Sequence, residues 1–181
     1  FWSDDGLEGW YRLNGDTLDH SGNAYDGTPN NIVYSDGVDK EAAEFDGTSS
    51  YVDMGDVHGF ETDEAFSYSV WFKTSGDLLR SIELISKGEL TFPFTGQWLE
   101  MKIDGTLCMN IYANSGGKLR AITTVSYNDN NWHNAVVTYD GSQLRTGITI
   151  YVDGVEAVVN HSGFITGEAA GGSSLTPAPF N

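Results

Sequence analysis

The sequence predicts an all-β fold, an antiparallel two-sheet β-sandwich or jelly roll, and three observations predict it. Apolar and polar residues alternate at period two along most of the chain, and no helical period competes. Asp-Gly dipeptides punctuate these runs where hairpin turns belong. Glycine is abundant, 22 residues against 4 prolines, while nine Phe, nine Tyr and five Trp provide core material. At 181 residues the chain is long enough for one domain that buries roughly 70% of its unfolded surface.

Strands are expected, in order, at "GWYRLN" (9–14), "AAEF" (42–45), "YVDMG" (51–55), "FSYSVWFK" (66–73), "LISKG" (84–88), "WLEMK" (98–102), "LCMNIY" (107–112), "RAITTVS" (120–126), "NAVVTY" (134–139) and the hairpin "ITIYVDGVEAVV" (148–159). In "FSYSVWFK", Phe66, Tyr68, Val70 and Phe72 share one face and Ser67, Ser69, Trp71 and Lys73 the other, the pattern of a half-buried antiparallel strand. A two-residue type I′ turn at Asp153–Gly154 pairs Val152 with Val155, Ile150 with Ala157 and Ile148 with Val159, all apolar. The Asp104–Gly105 turn reads differently. A two-residue loop would set apolar against polar residues throughout. A three-residue loop with Gly105 left-handed in a bulge instead pairs Ile103 with Leu107, Met101 with Met109 and Leu99 with Ile111. That choice sends Trp98, Glu100 and Lys102 to the outer face. The sandwich is expected to span 1–166, and "GEAAGGSSLTPAPFN" (167–181) has the composition of a loop or tail.

Charge and cysteine content exclude several functions. The formal net charge is −17 with only nine Lys and Arg, scattered along the chain. Such a surface repels phosphate backbones, so no nucleic-acid partner is expected. Cations, neutral glycans or basic proteins suit it better. Cys108 is the single cysteine, which excludes intrachain disulfides and multi-cysteine zinc sites. No apolar run approaches the ~20 residues of a membrane span, and no secretory leader is seen. The chain begins at Phe1, not Met, as expected of a processed product or a piece of something longer.

Six stretches occur together in order: "SGNAYDGT" (21–28), "EFDGTSSYVDMGD" (44–56), "FSYSVWFKTS" (66–75), "LISKG" (84–88), "NNWHNAVVTYDGS" (130–142) and "ITIYVDGV" (148–155). Together, from about Gly9 to Val159, they resemble the laminin-G-like, concanavalin A-like jelly roll of bacterial and archaeal surface proteins. The resemblance implies the fold and an extracellular or cell-surface setting, but not a ligand. Family members end with a strand of the form Gly-x-Ile-Asp-x-Val-Arg-Ile-Tyr beside the first strand. This chain stops at "APFN" (178–181), so the edge next to "GWYRLN" is expected to be bare and open to self-association or strand complementation.

Candidate sites follow. In "DHSGNAYDGT" (19–28), Asp19, Asn23 and Asp26 offer side-chain oxygens, and Gly22 lets backbone carbonyls turn inward. That is a candidate structural calcium loop, an oxygen cage without the EF-hand spacing. The alternative is a pair of turns whose Asn and Asp bond their own backbone. The resemblance adds that related jelly rolls often hold calcium near this turn with help from an Asp of the final strand, which is absent here. Trp71 and Trp98, on outer strand faces, are candidate platforms for sugar rings. The alternative is that loops bury both indoles. Hydrolysis is not expected. Glycosidases need paired carboxylates on one face, and the nearest matches, Glu44 with Asp46 and Glu61 with Asp63, lack a third partner. "NHS" (160–162) matches an N-glycosylation acceptor. The expected function is a non-catalytic extracellular binding or adhesion module for glycans or surface proteins, with a structural subunit of an extracellular assembly as the alternative.

Overall fold

A computed structural model describes residues 6–74, 76, 78–89, 95–113 and 117–161. The chain divides into two compact units, Phe1–His58 and Gly59–Asn181. Among the described residues the regular elements are thirteen β-strands and one 3₁₀ turn at Arg145–Gly147, with no α-helix.

The first unit contains two short antiparallel ribbons. Strands β1 (Thr28–Asn30) and β4 (Tyr51–Asp53) pair with Pro29 opposite Val52. Strands β2 (Val33–Asp36) and β3 (Glu41–Glu44) pair with Tyr34 opposite Ala43. "GWYRLN" does not form the expected strand: it makes one antiparallel bridge, Tyr11 to Asp19. The cause is local. Leu13 has a φ of 52°, which breaks an extended run, and the Trp10 N–H is drawn to Asp19 Oδ1 at 3.0 Å.

The second unit is the sandwich. One sheet runs β12 (Val155–Glu156), β11 (Ile148–Val152), β10 (His133–Tyr139) and β5 (Phe66–Phe72). The other runs β13 (Val159–Asn160), β9 (Lys118–Ser126), β8 (Thr106–Tyr112), β7 (Thr95–Met101) and β6 (Ile82–Glu89). Phe66, Phe72, Val137 and Ile150 from the first sheet share one core with Leu99, Met101, Met109 and Leu119 from the second. Tyr68 and Val70 pack against that core, so the alternation read in "FSYSVWFK" holds. One buried polar bridge crosses the core, Gln97 Nε2 donating to the Tyr68 hydroxyl at 2.9 Å. Burial pushes the Tyr68 phenol up to about 12, against the downward pull of this hydrogen bond.

Both Asp-Gly hairpins form, each with a difference. Asp153 and Gly154 have φ of 53° and 79°, the type I′ signature, and Val152 faces Val155 as expected. Ile148, however, does not face Val159. Ala157 still donates to Ile150 O at 2.8 Å, while Val158 O already accepts from Thr124 N at 2.9 Å. The chain therefore changes sheets between these two residues, and Val159 pairs with Thr123. At the other hairpin the loop has the expected three residues, but they are Ile103, Asp104 and Gly105. Lys102 N donates to Thr106 O at 2.8 Å, so Met101 faces Leu107 and Leu99 faces Met109. A bulge of this kind puts the left-handed residue last in the loop. Gly105, at φ 80°, takes that place, and the expected register was two residues out while keeping the correct face. Trp132 is part-buried and lies outside the main core cluster. Residues 162–181, including the expected tail and Ser162 of "NHS", lie outside the described residues.

Candidate functional site

The "DHSGNAYDGT" loop folds upon itself. Asp19 Oδ1 accepts from Trp10 N at 3.0 Å and Ser21 N at 2.8 Å. Its Oδ2 accepts from Ser21 Oγ at 2.8 Å and Tyr25 N at 3.1 Å. Partial burial pushes the Asp19 carboxyl up, but these four donors outweigh it and hold the group well below the usual carboxylate range. Asp26 is brought to Asp19, its Oδ1 accepting Asp19 N at 2.9 Å. Asn23 turns its Nδ2 to Leu7 O at 3.0 Å and Glu8 O at 3.1 Å. A carboxylate has about four lone-pair sites, and those of Asp19 accept from Trp10, Ser21 and Tyr25. Among the described residues no group of three or more His, Cys, Asp or Glu is placed to hold a metal. As folded, the oxygens of Asp19 and Oδ1 of Asp26 accept hydrogen bonds from nearby backbone and serine donors.

The two candidate tryptophans lie on different sheets, both facing away from the shared core, and the fold does not bring them together. Trp71 on β5 is 55% exposed. It pairs with Asn134 of β10, whose Nδ2 donates to Ser69 Oγ at 3.3 Å. The next row of this face runs from Ser69 through Val136 and Tyr151 to exposed Glu156. An indole face, an amide, a hydroxyl and a carboxylate thus share one sheet surface. Sequence reading found Trp71 but missed Asn134 and Tyr151, because only the cross-strand register places them beside it.

Trp98 points outward from β7, yet only 8% of it is exposed. Its ring stacks on Tyr112 with centroids 4.6 Å apart and planes 15° from parallel. Lys118 Nζ lies 4.4 Å over the same Tyr112 ring. One face of the Trp98 indole is therefore already occupied.

Of the carboxylates weighed for hydrolysis, Asp46 has a local structural duty. Asp46 accepts from the backbone N–H groups of Thr48, Ser49 and Ser50 at 2.8, 2.7 and 2.9 Å, and from Ser49 Oγ at 2.7 Å. These donors hold its carboxyl far below the usual range and fix the turn before β4. Glu61 donates its backbone N–H to Glu64 Oε2 at 2.9 Å.

Comparison with known proteins agrees with this architecture. No curated protein matches the sequence significantly. Among solved structures the chain is similar to the binding domain of Paraclostridial Mosquitocidal Protein 1, with a TM-score of 0.63 at 17% identity over 96% of this chain and 44% of that one. It is also similar to two structures of the binding domain of botulinum neurotoxin serotype G. One has a TM-score of 0.57 at 14% identity, covering 80% of this chain and 36% of that one. The other has a TM-score of 0.54 at 16% identity, covering 94% and 41%. The chain thus spans less than half the length of the toxin domains it matches, and at these identities the likeness is one of fold. Residues 46–176 match the family described as the concanavalin A-like lectin/glucanases superfamily. With its two antiparallel sheets around one core and this match across most of its length, the chain belongs to the concanavalin A-like lectin/glucanase superfamily.

Proposed function

We propose that this protein is a non-catalytic binding module of an extracellular or cell-surface protein, and that it recognises glycans on the sheet face around Trp71. The observation that carries the reading is the exposure of Trp71 on β5, opposite Asn134 of β10, with Tyr151 of β11 in the next row of the same face. A sugar ring has one apolar face and a rim of hydroxyls. It buries the face on an indole and exchanges hydrogen bonds with a neighbouring amide. The superfamily includes lectins, and the similar structures are named as toxin binding domains, which supports a binding role. No helix among the described residues is long and apolar enough to cross a membrane. The alternative, a structural subunit of an extracellular assembly, needs an open sheet edge beside residues 9–14, where Tyr11 bridges Asp19.

A glycan array with the purified chain, run once in calcium and once in EGTA, tests the proposal. Discrete hits lost in Trp71→Ala support it. A blank array, or hits indifferent to Trp71→Ala, overturns it.

A further inference from the structure

The outer face of the five-stranded sheet holds a second cluster, unrelated to Trp71. Strand register aligns Trp98, Asn110 and Arg120 in one row, Gly96, Tyr112 and Lys118 in the next, and Glu100, Cys108 and Ile122 on the other side. The pleat directs all of these away from the core. Arg120 Nε donates to Cys108 Sγ at 3.1 Å, and Arg120 Nη2 lies 3.8 Å from Glu100 Oε1. Lys118 Nζ donates to the Tyr112 hydroxyl. Two cations therefore share one carboxylate, in a chain whose net charge is −17 with only nine basic residues. Lys118 is half-buried, and burial is the largest influence on it and lowers its pKa, while the Glu100 charge acts in the opposite direction.

Asn110 adds a second, independent sign. It is 1% exposed, and its Oδ1 is buried without a hydrogen-bond partner. The amide cannot simply be turned over. Nδ2 donates to Glu100 Oε1 at 3.3 Å, and a flip would set the amide oxygen against that carboxylate. Buried polar atoms are almost always paired. Among the described residues nothing donates to Asn110 Oδ1, which leaves it open to an O–H or N–H from a ligand. Arg120 and Glu100 keep 20% and 15% of their side chains exposed, so the cluster reaches solvent at these residues, while Asn110 and Cys108 are buried.

A fitting ligand must carry an anion for Lys118 and Arg120, a donor for Asn110, and an apolar flank for the Trp98–Tyr112 stack. Neutral sugars lack the first, and simple carboxylates lack the other two. We propose that this face binds a uronic acid residue, its carboxylate held by Lys118 and Arg120 and a ring hydroxyl donating to Asn110 Oδ1. The site does not depend on Trp71, so either can fail while the other stands.

The test is a titration of the ¹⁵N-labelled full chain with glucuronate, glucose or acetate at constant ionic strength. Glucuronate is expected to shift the Trp98 indole N–H and the Asn110 side-chain amide saturably in the millimolar range, with glucose and acetate at least about tenfold weaker. Lys118→Gln is expected to weaken glucuronate about tenfold with an unchanged circular dichroism spectrum. Lys118 is chosen because Arg120 is more tightly woven into the fold. Lys118→Met serves if Lys118→Gln fails to fold. No saturable shift with glucuronate overturns the proposal. So does equal binding of glucose or acetate, or undiminished binding in a folded Lys118 variant.

Discussion

His133 Nδ1 lies 2.8 Å from Asp153 Oδ2, which ties the start of β10 to the turn of the β11–β12 hairpin. The opposite ring nitrogen, Nε2, lies 3.1 Å from Asp129 Oδ1. Asp153 Oδ1 accepts Asn134 N at 2.9 Å, and the imidazole packs 5.7 Å from the Phe72 ring and 5.4 Å from Tyr127. One part-buried side chain thus joins two loops at one end of the four-stranded sheet.

This bridge gives stability a definite pH dependence. Burial pushes His133 down, but the hydrogen bonds and charges of Asp153 and Asp129 outweigh it, leaving its pKa raised. Asp153 is lowered, first by the Asn134 N–H and then by His133. The histidine contribution is complete below its unfolded pKa of about 6.5 and fades as pH rises through the folded value. The Asp153 contribution is present above about 3.9 and lost as pH falls through the folded value. The bridge is therefore complete between about pH 4 and 6.5. Tm of the native chain should fall by about 2–4 °C more than that of His133→Gln between pH 6 and 9, for roughly 1 kcal/mol. Parallel Tm profiles would contradict this.

Gly88 and Gly96 face each other across β6 and β7 with φ of 138° and 113°. A Cβ on Gly96 would stand 2.1 Å from Lys87 O. Backbone cannot yield as a side-chain tip can, so Gly96→Ala should cost more than about 2 kcal/mol. Gly154 has nothing within 4 Å of its Cβ position, and Gly154→Asn should cost under about 1 kcal/mol. Urea denaturation of the two variants compares them directly, and equal losses would refute the steric argument.

The tryptophans should separate by stability as well as by binding. Trp98→Ala removes a buried, stacked ring and should cost about 3–5 kcal/mol. Trp71→Ala removes an exposed one and should stay within about 0.5 kcal/mol. Thermal melts distinguish them, and a large loss at Trp71 would mean that its role is structural.

The saturated Asp19 carboxylate predicts indifference to calcium. Millimolar calcium or EGTA should leave Tm unchanged. Asp19→Ala should lower stability by about 1–3 kcal/mol in either, since it strands donors of Trp10, Ser21 and Tyr25. A calcium-dependent rise in Tm that Asp19→Ala abolishes would show that the loop rearranges around a cation.

Period-two alternation made β5, β7, β8 and β10 legible, because each has one face committed to a core. The Asp153–Gly154 turn was legible because two consecutive left-handed residues leave little choice. The register at 103–105 was not, since apolar pairing tolerates a two-residue slip without changing faces, and only bulge geometry decides it. Nor was the burial of Trp98 legible: pattern tells which side of a strand a residue takes, not what covers that side. Asn110 was visible as one polar residue among Cys108, Met109 and Ile111. Its neighbours Arg120 and Lys118 come from another strand, and no single stretch of sequence displays the group.

The crossing at Ala157–Val158 makes one ribbon serve as the rim of both sheets. Neighbouring residues bond to Ile150 on one side and Thr124 on the other, and the strands that follow and precede them are the terminal strands of their sheets. Peeling back this ribbon would uncover β11 and β9 together, leaving two sticky borders after a single tear. Unravelling at this corner would therefore present two strand borders at once for pairing with another copy.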